Sequence, residues 1–232
     1  MTMIQNPYMF DPYTKMLLHT RGADESTSFL DASPSNHTMT AQADAQIDTA
    51  VADPWGGNAG VMMLDGTGDY VSAPDSADWA FGTGNFSLEG WYRFPGVAQR
   101  LLFMGQTVDA NNRSAFFYDN SPGKIQFYVR ESGTVTCYYL ADWSPSADTW
   151  YHVAVARSGT AIYMFIDGTS LSLTETTAIA SKSMPDYATT FDIGRVYSGN
   201  ELRYLSGYAT EIKISKGIAR WTGNFTPPIK PY

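Results

Sequence analysis

The residues best placed to do chemistry stand in LDGTGDYVS, from Leu64 to Ser72, where Asp65 and Asp69 enclose Gly66, Thr67 and Gly68. Three readings compete for this stretch. A phosphate cradle needs a helix N-terminus directly after the glycines, and a β-like run follows instead. The same objection meets Gly82, Thr83 and Gly84. A calcium ion takes about six to eight hard oxygens, so Asp65 and Asp69 would need help from other loops. A tight turn asks least, because Gly66 and Gly68 let the backbone reverse between Val61–Leu64 and Tyr70–Ser72. The stretch reads first as a turn and second as a calcium site, and no other cofactor is implied.

Catalytic arrangements are hard to find in the rest of the chain. Glycoside hydrolysis uses two carboxyl groups flanking one bond, about 5 Å apart in retaining enzymes. Glu89, Asp167, Asp192 and Glu211 each stand alone on their segments, and Asp44 with Asp48 falls in a loop. His19, His37 and His152 show no metalloprotease spacing, and no serine sits in a nucleophile elbow. His152, within WYHVAVAR, reads as a sheet histidine hydrogen-bonded to its neighbours. Cys137 is the sole cysteine, which excludes an internal disulfide and a thiolate cluster; in VTCYYL it reads as a small buried hydrophobe. The expectation is a protein that is not an enzyme.

The elements that must position these residues are strands. NFSLEGWYRF places Phe86, Leu88 and Tyr92 on one face and Ser87, Glu89, Trp91 and Arg93 on the other. KIQFYVR turns Ile125, Phe127 and Val129 inward and leaves Gln126, Tyr128 and Arg130 opposite. WYHVAVARSGTAIYMFIDGTSL predicts strands at Tyr151–Arg157 and Ala161–Ile166 around a Ser158, Gly159, Thr160 turn. The Asp167–Gly168 pair then suits a type I′ turn, whose two central residues both need positive φ. VMML, FDIGRV and TEIKIS add further strands, and no helical stripe exceeds two turns. A dozen or so short strands predict one all-β domain, a two-sheet antiparallel β-sandwich of jelly-roll type. Residues 1–15 are set apart as an N-terminal docking arm carrying Tyr8, Phe10 and Tyr13, and residues 16–232 form the sandwich.

Composition narrows the partners. A formal charge of −8 lacks the cationic footprint of a nucleic-acid binder. No window approaches the roughly 20 apolar residues of a membrane span, and the N-terminus lacks a secretory pattern. Aromatics are plentiful, with 6 Trp, 15 Tyr and 12 Phe, and sugars are held by aromatic platforms with a few polar groups. Trp91, Tyr128 and Arg130, joined by Tyr138, are therefore the candidate glycan contacts.

In order, LLHTRGADESTSFLDASPSNHT, LDGTGDYVSAPDSADWAFGTGNFSLEGWYRF, WYHVAVARSGTAIYMFIDGTSL, FDIGRVYSG and GYATEIKISKGIARWTGNFTPP resemble the concanavalin A-like, laminin G-like (LamG-like) jelly rolls, particularly those of tailed-phage virion proteins. The resemblance covers roughly Met16 to Pro228, and KISKGIARWTGNFTPP is its most specific part. It implies a non-catalytic virion surface protein, assembled in the host cytoplasm and exposed on the particle. A capsid decoration role, with virion proteins as partners and a small homo-oligomer as the assembly, is the first expectation. A tail-associated lectin for host surface polysaccharide is the second, and a glycan-cleaving enzyme a remote third. Relatives that hold a structural calcium between the chain ends carry aspartates where this chain has Arg21 and Thr210, so the resemblance does not extend to that site.

Overall fold

The computed structural model describes residues 11–198 and 201–232. Tyr8 and Phe10 of the expected docking arm lie outside them. Two antiparallel sheets of eight strands face each other, as the alternation predicted. The first sheet runs in the order β13 (Thr169–Ser170), β12 (Ala161–Ile166), β11 (Trp150–Ser158), β6 (Phe86–Arg93), β18 (Ser206–Lys216), β4 (Val61–Asp65) and β3 (Gln46–Asp48). β1 (Thr14–Leu18) pairs with the far half of β18. The second sheet runs β14 (Thr174–Thr177), β10 (Thr134–Asp142), β9 (Lys124–Glu131), β8 (Asn112–Asp119), β7 (Leu101–Asp109), β15 (Phe191–Ile193), β5 (Tyr70–Ala73) and β2 (Thr40–Gln42). A separate hairpin, β16 (Arg195–Ser198) with β17 (Glu201–Tyr204), packs beside β7. Among the described residues the helical content is one 3-10 turn at Ala77–Trp79, and no helix there is long and apolar enough to cross a membrane.

The local chemistry of the sequence accounts for these elements. Asp167 and Gly168 have φ of 49° and 73°, as a type I′ turn requires, and Gly159 turns β11 into β12. Phe86, Leu88 and Tyr92 of the first sheet and Ile125, Phe127 and Val129 of the second are all buried in one core. Phe86 meets Phe127 across the sheets at 5.9 Å between ring centres, and Phe103 packs on Tyr92 at 4.9 Å and Phe116 at 5.1 Å. Cys137 is part of this core, and burial pushes its thiol pKa up to about 12.

The outer face of the first sheet is buried too, which the alternation alone did not show. Ser87 and Glu89 point away from the core, yet both are fully covered. The cover is the C-terminal segment. Trp221 and Phe225 stack at 4.0 Å and pack on Ala154, Ala156 and Phe165. Phe225 N donates to Gly168 O at 2.9 Å. The Tyr232 hydroxyl donates to Glu89 Oε2 and its backbone amide to Glu211 Oε2. Glu89 also pairs with His152 at 3.1 Å, with neither side chain exposed, so the histidine is hydrogen-bonded within the sheet as expected. A bulge in β18, where Glu211 takes φ 51°, shifts the register between Thr210 and Lys213. It sits opposite Gly90, where an added Cβ would lie 2.4 Å from Ile212 Cδ1. The bulge lets Glu211 and Lys213 both reach the covered face. Lys213 Nζ sits 4.0 Å from the Tyr232 ring centre, and burial foremost lowers its pKa, opposed by Glu89.

Gly168 joins the Asp-Gly turn to this cover. An alanine there would combine positive φ with a Cβ 2.0 Å from the Phe225 carbonyl oxygen, so Gly168→Ala is expected to destabilise the fold by about 2 kcal/mol in denaturant titration. An unchanged midpoint would mean that Phe225 does not rest on the turn. Cys137 should resist alkylation near pH 8 in the native protein and react only as fast as the sandwich opens. Rapid labelling under native conditions would contradict its place in the core.

Candidate functional site

Trp55, Trp91 and Trp150 line one cleft of about 470 Å³, with Asp167 at its rim and Thr226 to Ile229 as one wall. Each ring is fixed by a local cause. Asp53 Oδ1 accepts from the backbone amides of Trp55 and Gly57, both at 2.9 Å, which closes the DPWGG loop and lifts Trp55 out of it. The Trp55 indole N–H then donates to Pro228 O at 3.0 Å. Trp150 opens β11 and donates to Ala52 O at 2.9 Å. Trp91 stands on the outer side of β6, 5.7 Å from Trp55 and 5.3 Å from the His152 ring. Asp167 accepts from the His152 backbone amide at 2.8 Å. Partial desolvation raises its carboxyl pKa above the usual aspartate value, while that amide and the His152 side chain pull the other way. The result is a set of immobilised aromatic faces with one carboxylate.

Trp91 is the only one of these residues that sequence reading singled out for a site role. Trp55 was hidden in a loop with no periodicity, although a lone tryptophan between Pro54 and Gly56 was a signal. Trp150 is the first residue of its strand, where alternation has no preceding partner to define a face. The other expected glycan contacts, Tyr128, Arg130 and Tyr138, lie on β9 and β10 of the second sheet. The four residues therefore do not form a single patch. Alternation distinguishes core from outside but does not say which of two sheets a strand joins. Tyr128 and Tyr138 do meet, edge to face at 5.3 Å, and the Tyr138 hydroxyl donates to Gln126 Oε1 at 2.9 Å.

A more polar cleft of about 670 Å³ is bordered by Arg100, Asp119, Asn120, Arg203 and Tyr204. Its charges are internally matched, Arg100 with Asp119 at 2.9 Å and Arg203 with Glu201 at 2.7 Å. The tryptophan cleft is the more aromatic of the two.

In LDGTGDYVS, Gly66 and Gly68 take φ of 89° and 93°, and the chain turns from β4 into β5. Asp69 is buried, and its two oxygens accept from the Asp44 and Asp65 amides at 2.8 and 2.9 Å. Burial foremost raises its pKa, offset by those amides. Asp65 Oδ1 accepts from Thr67 N at 2.6 Å. Both carboxylates thus serve the turn itself, and among the described residues no three His, Cys, Asp or Glu side chains gather as a metal site. Arg21 approaches Glu211 at 4.0 Å and Thr210 donates to His19 O at 3.0 Å, so the two positions tie the chain ends together directly. Tyr13 is 44% exposed, but its carbonyl accepts from Lys216 N and Thr14 already begins β1. Residues 11–15, grouped with the arm on sequence grounds, therefore lie against β18.

Among curated proteins none matches the chain. Solved structures do. The binding domain of Paraclostridial Mosquitocidal Protein 1 aligns with a TM-score of 0.62 at 11% identity, over 89% of this chain and 49% of that one. A botulinum neurotoxin type C structure, described by cell entry that depends on two ganglioside molecules, gives 0.62 at 12% identity over 89% and 48%. Domain 4 of AbnA, an extracellular arabinanase of Geobacillus stearothermophilus solved with arabinotriose, gives 0.58 at 13% identity over 88% and 95%. The chain spans about half the length of the toxin chains it matches, and at such identities the likeness is one of fold. A family model settles the affiliation: with residues 65–219 matched, the chain belongs to the concanavalin A-like lectin/glucanases superfamily.

Proposed function

We propose that this domain is a non-catalytic, lectin-like module that binds glycan in the tryptophan cleft. The observation that carries this reading is the convergence of Trp55, Trp91 and Trp150 beside Asp167 in one cleft. Sugar rings present flat C–H faces to aromatic side chains and hydroxyls to a carboxylate, so these are the group types a saccharide requires. Because Trp55 and Trp150 are held by backbone carbonyls and Trp91 by ring contacts with Trp55 and His152, little side-chain freedom is lost on binding. The cleft has one acid, Asp167, among its lining residues. Hydrolysis by paired carboxylates has no second partner there, which supports binding over cleavage. That Domain 4 of the arabinanase was solved with arabinotriose is consistent with a saccharide on this fold.

The setting we infer, from the resemblance of KISKGIARWTGNFTPP to phage sequences, is the surface of a virion. There the domain decorates the capsid as a small oligomer, and the cleft gives the particle adhesion to host polysaccharide.

Retention on host polysaccharide should be saturable. Trp91→Ala and Trp55→Ala should each weaken it tenfold or more, since truncating a buried aromatic anchor costs about 2 kcal/mol. Equal retention of wild type and a folded double variant would remove the reading. Immunogold imaging of intact virions should find many copies on the head; copies confined to the tail would favour the receptor-binding role, and absence from particles would end the virion assignment.

A further inference from the structure

On the outer side of the second sheet, Arg113 of β8 and Arg130 of β9 stand directly opposite each other in the ladder. Like charges in that relation repel. The same row continues to Thr107 on β7 and Val135 on β10, so no acid completes it. Arg113 is 7% exposed, and among the described residues neither arginine has a carboxylate within ion-pair distance. The acid nearest Arg113 in sequence, Asp109, is committed to Asn111 N at 2.7 Å and Asn112 Nδ2 at 3.1 Å, and Glu131, next to Arg130, is exposed at the end of β9.

Protein acceptors use only part of the donor capacity. Arg113 Nη1 donates to Ala110 O. Arg130 Nε donates to Gly133 O at 2.9 Å, and its Nη1 reaches Ala110 O at 3.4 Å. A guanidinium carries five N–H groups in a planar fork suited to oxyanions. The pair is held in place from several sides. The Arg113 guanidinium lies 5.1 Å from the Tyr128 ring centre and 5.7 Å from that of Tyr197. The Tyr187 hydroxyl lies 3.1 Å from Arg113 O and 2.7 Å from Arg130 O, locking the two strands at this level. Burial foremost lowers the Arg113 pKa, with Arg130 adding to it and Tyr128 opposing it.

We propose that Arg113 and Arg130, flanked by Tyr128 and Tyr138, form a second binding site that takes the carboxylate or sulfate of an acidic sugar. The oxyanion bridges the two guanidiniums and relieves their repulsion, and the tyrosine rings contact the sugar that carries it. This site lies on the opposite sheet from the tryptophan cleft, so the two assignments stand or fall separately.

The test is a titration of the full chain, following the arginine Nε–Hε signals by NMR. Glucuronate is compared with glucose, galactose 6-sulfate with galactose, and inorganic sulfate serves as the bare ion. At least one acidic sugar is expected to move the Arg113 and Arg130 signals and to bind more tightly than its neutral parent and than inorganic sulfate. Arg130→Gln, which leaves the buried Arg113 in place, should weaken that binding about tenfold, as expected for loss of a charge-assisted bidentate contact. Arg130→Lys, which keeps the charge without the fork, should recover only part of it. The proposal fails if neither acidic sugar moves the signals, if inorganic sulfate binds as well as both, or if Arg130→Gln binds like the wild type.

Discussion

A carboxylate and an imidazole with no access to water set the terms for the outer side of the first sheet. Glu89 and His152 are each fully buried and 3.1 Å apart. Desolvating such a pair costs several kcal/mol, recovered only when further polar contacts and a cover are supplied. The recovery within the protein is incomplete, because Glu89 Oε1 and His152 Nδ1 have no hydrogen-bond partner among the described residues. What the pair provides is specificity of docking. The Tyr232 hydroxyl reaches Glu89, and Trp221 and Phe225 close over the His152 ring at 6.1 and 5.7 Å. These three side chains seat the C-terminal segment on the pair. Once it is seated, Thr226 to Ile229 must pass beside Trp55 and Trp91, which creates the cleft.

Much of the sandwich was legible because strands write their geometry into a two-residue period. Phe86, Leu88 and Tyr92, or Ile125, Phe127 and Val129, could be assigned inward from their neighbours alone. The Asp167–Gly168 turn was legible for the same local reason. The candidate site was not. Burial of Glu89 depends on Tyr232, 143 residues away, and no local pattern encodes that contact. Nor could spacing show that Trp91 and Tyr128 face opposite ways out of the molecule. Alternation is blind to sheet membership, which β18 decides by pairing with β6 on one side and with both β1 and β4 on the other.

The fold by itself leaves function open, since the same architecture serves binding and catalysis. The choice falls to the cleft wall. Pro227 and Pro228 have φ fixed by their rings and no backbone N–H to satisfy. They form a stiff wall whose carbonyls remain available, and Pro228 O is spent orienting Trp55. A wall of this kind preserves cleft shape without relying on the ligand. It also couples the shape of the cleft to stability, because loosening the C-terminal segment would free the Trp55 ring as well as uncover Glu89.

The paired arginines raise a question of scale. A protein with net charge −8 repels acidic ligands at long range, yet at physiological salt the Debye length is about 8 Å. Beyond that distance the other carboxylates are screened, and an approaching oxyanion experiences mainly what lies within one or two side chains. At the Arg113–Arg130 row that environment is two guanidiniums and four aromatic rings. On the neighbouring β16–β17 hairpin a cation set against an aromatic ring has its acid: the Arg195 guanidinium bonds Asp192 at 2.8 Å through Nε while lying 4.0 Å from the Tyr70 ring centre. The contrast between these cation–aromatic groups, one with its acid and one that makes no ion pair among the described residues, sets the arginine row apart from a packing device.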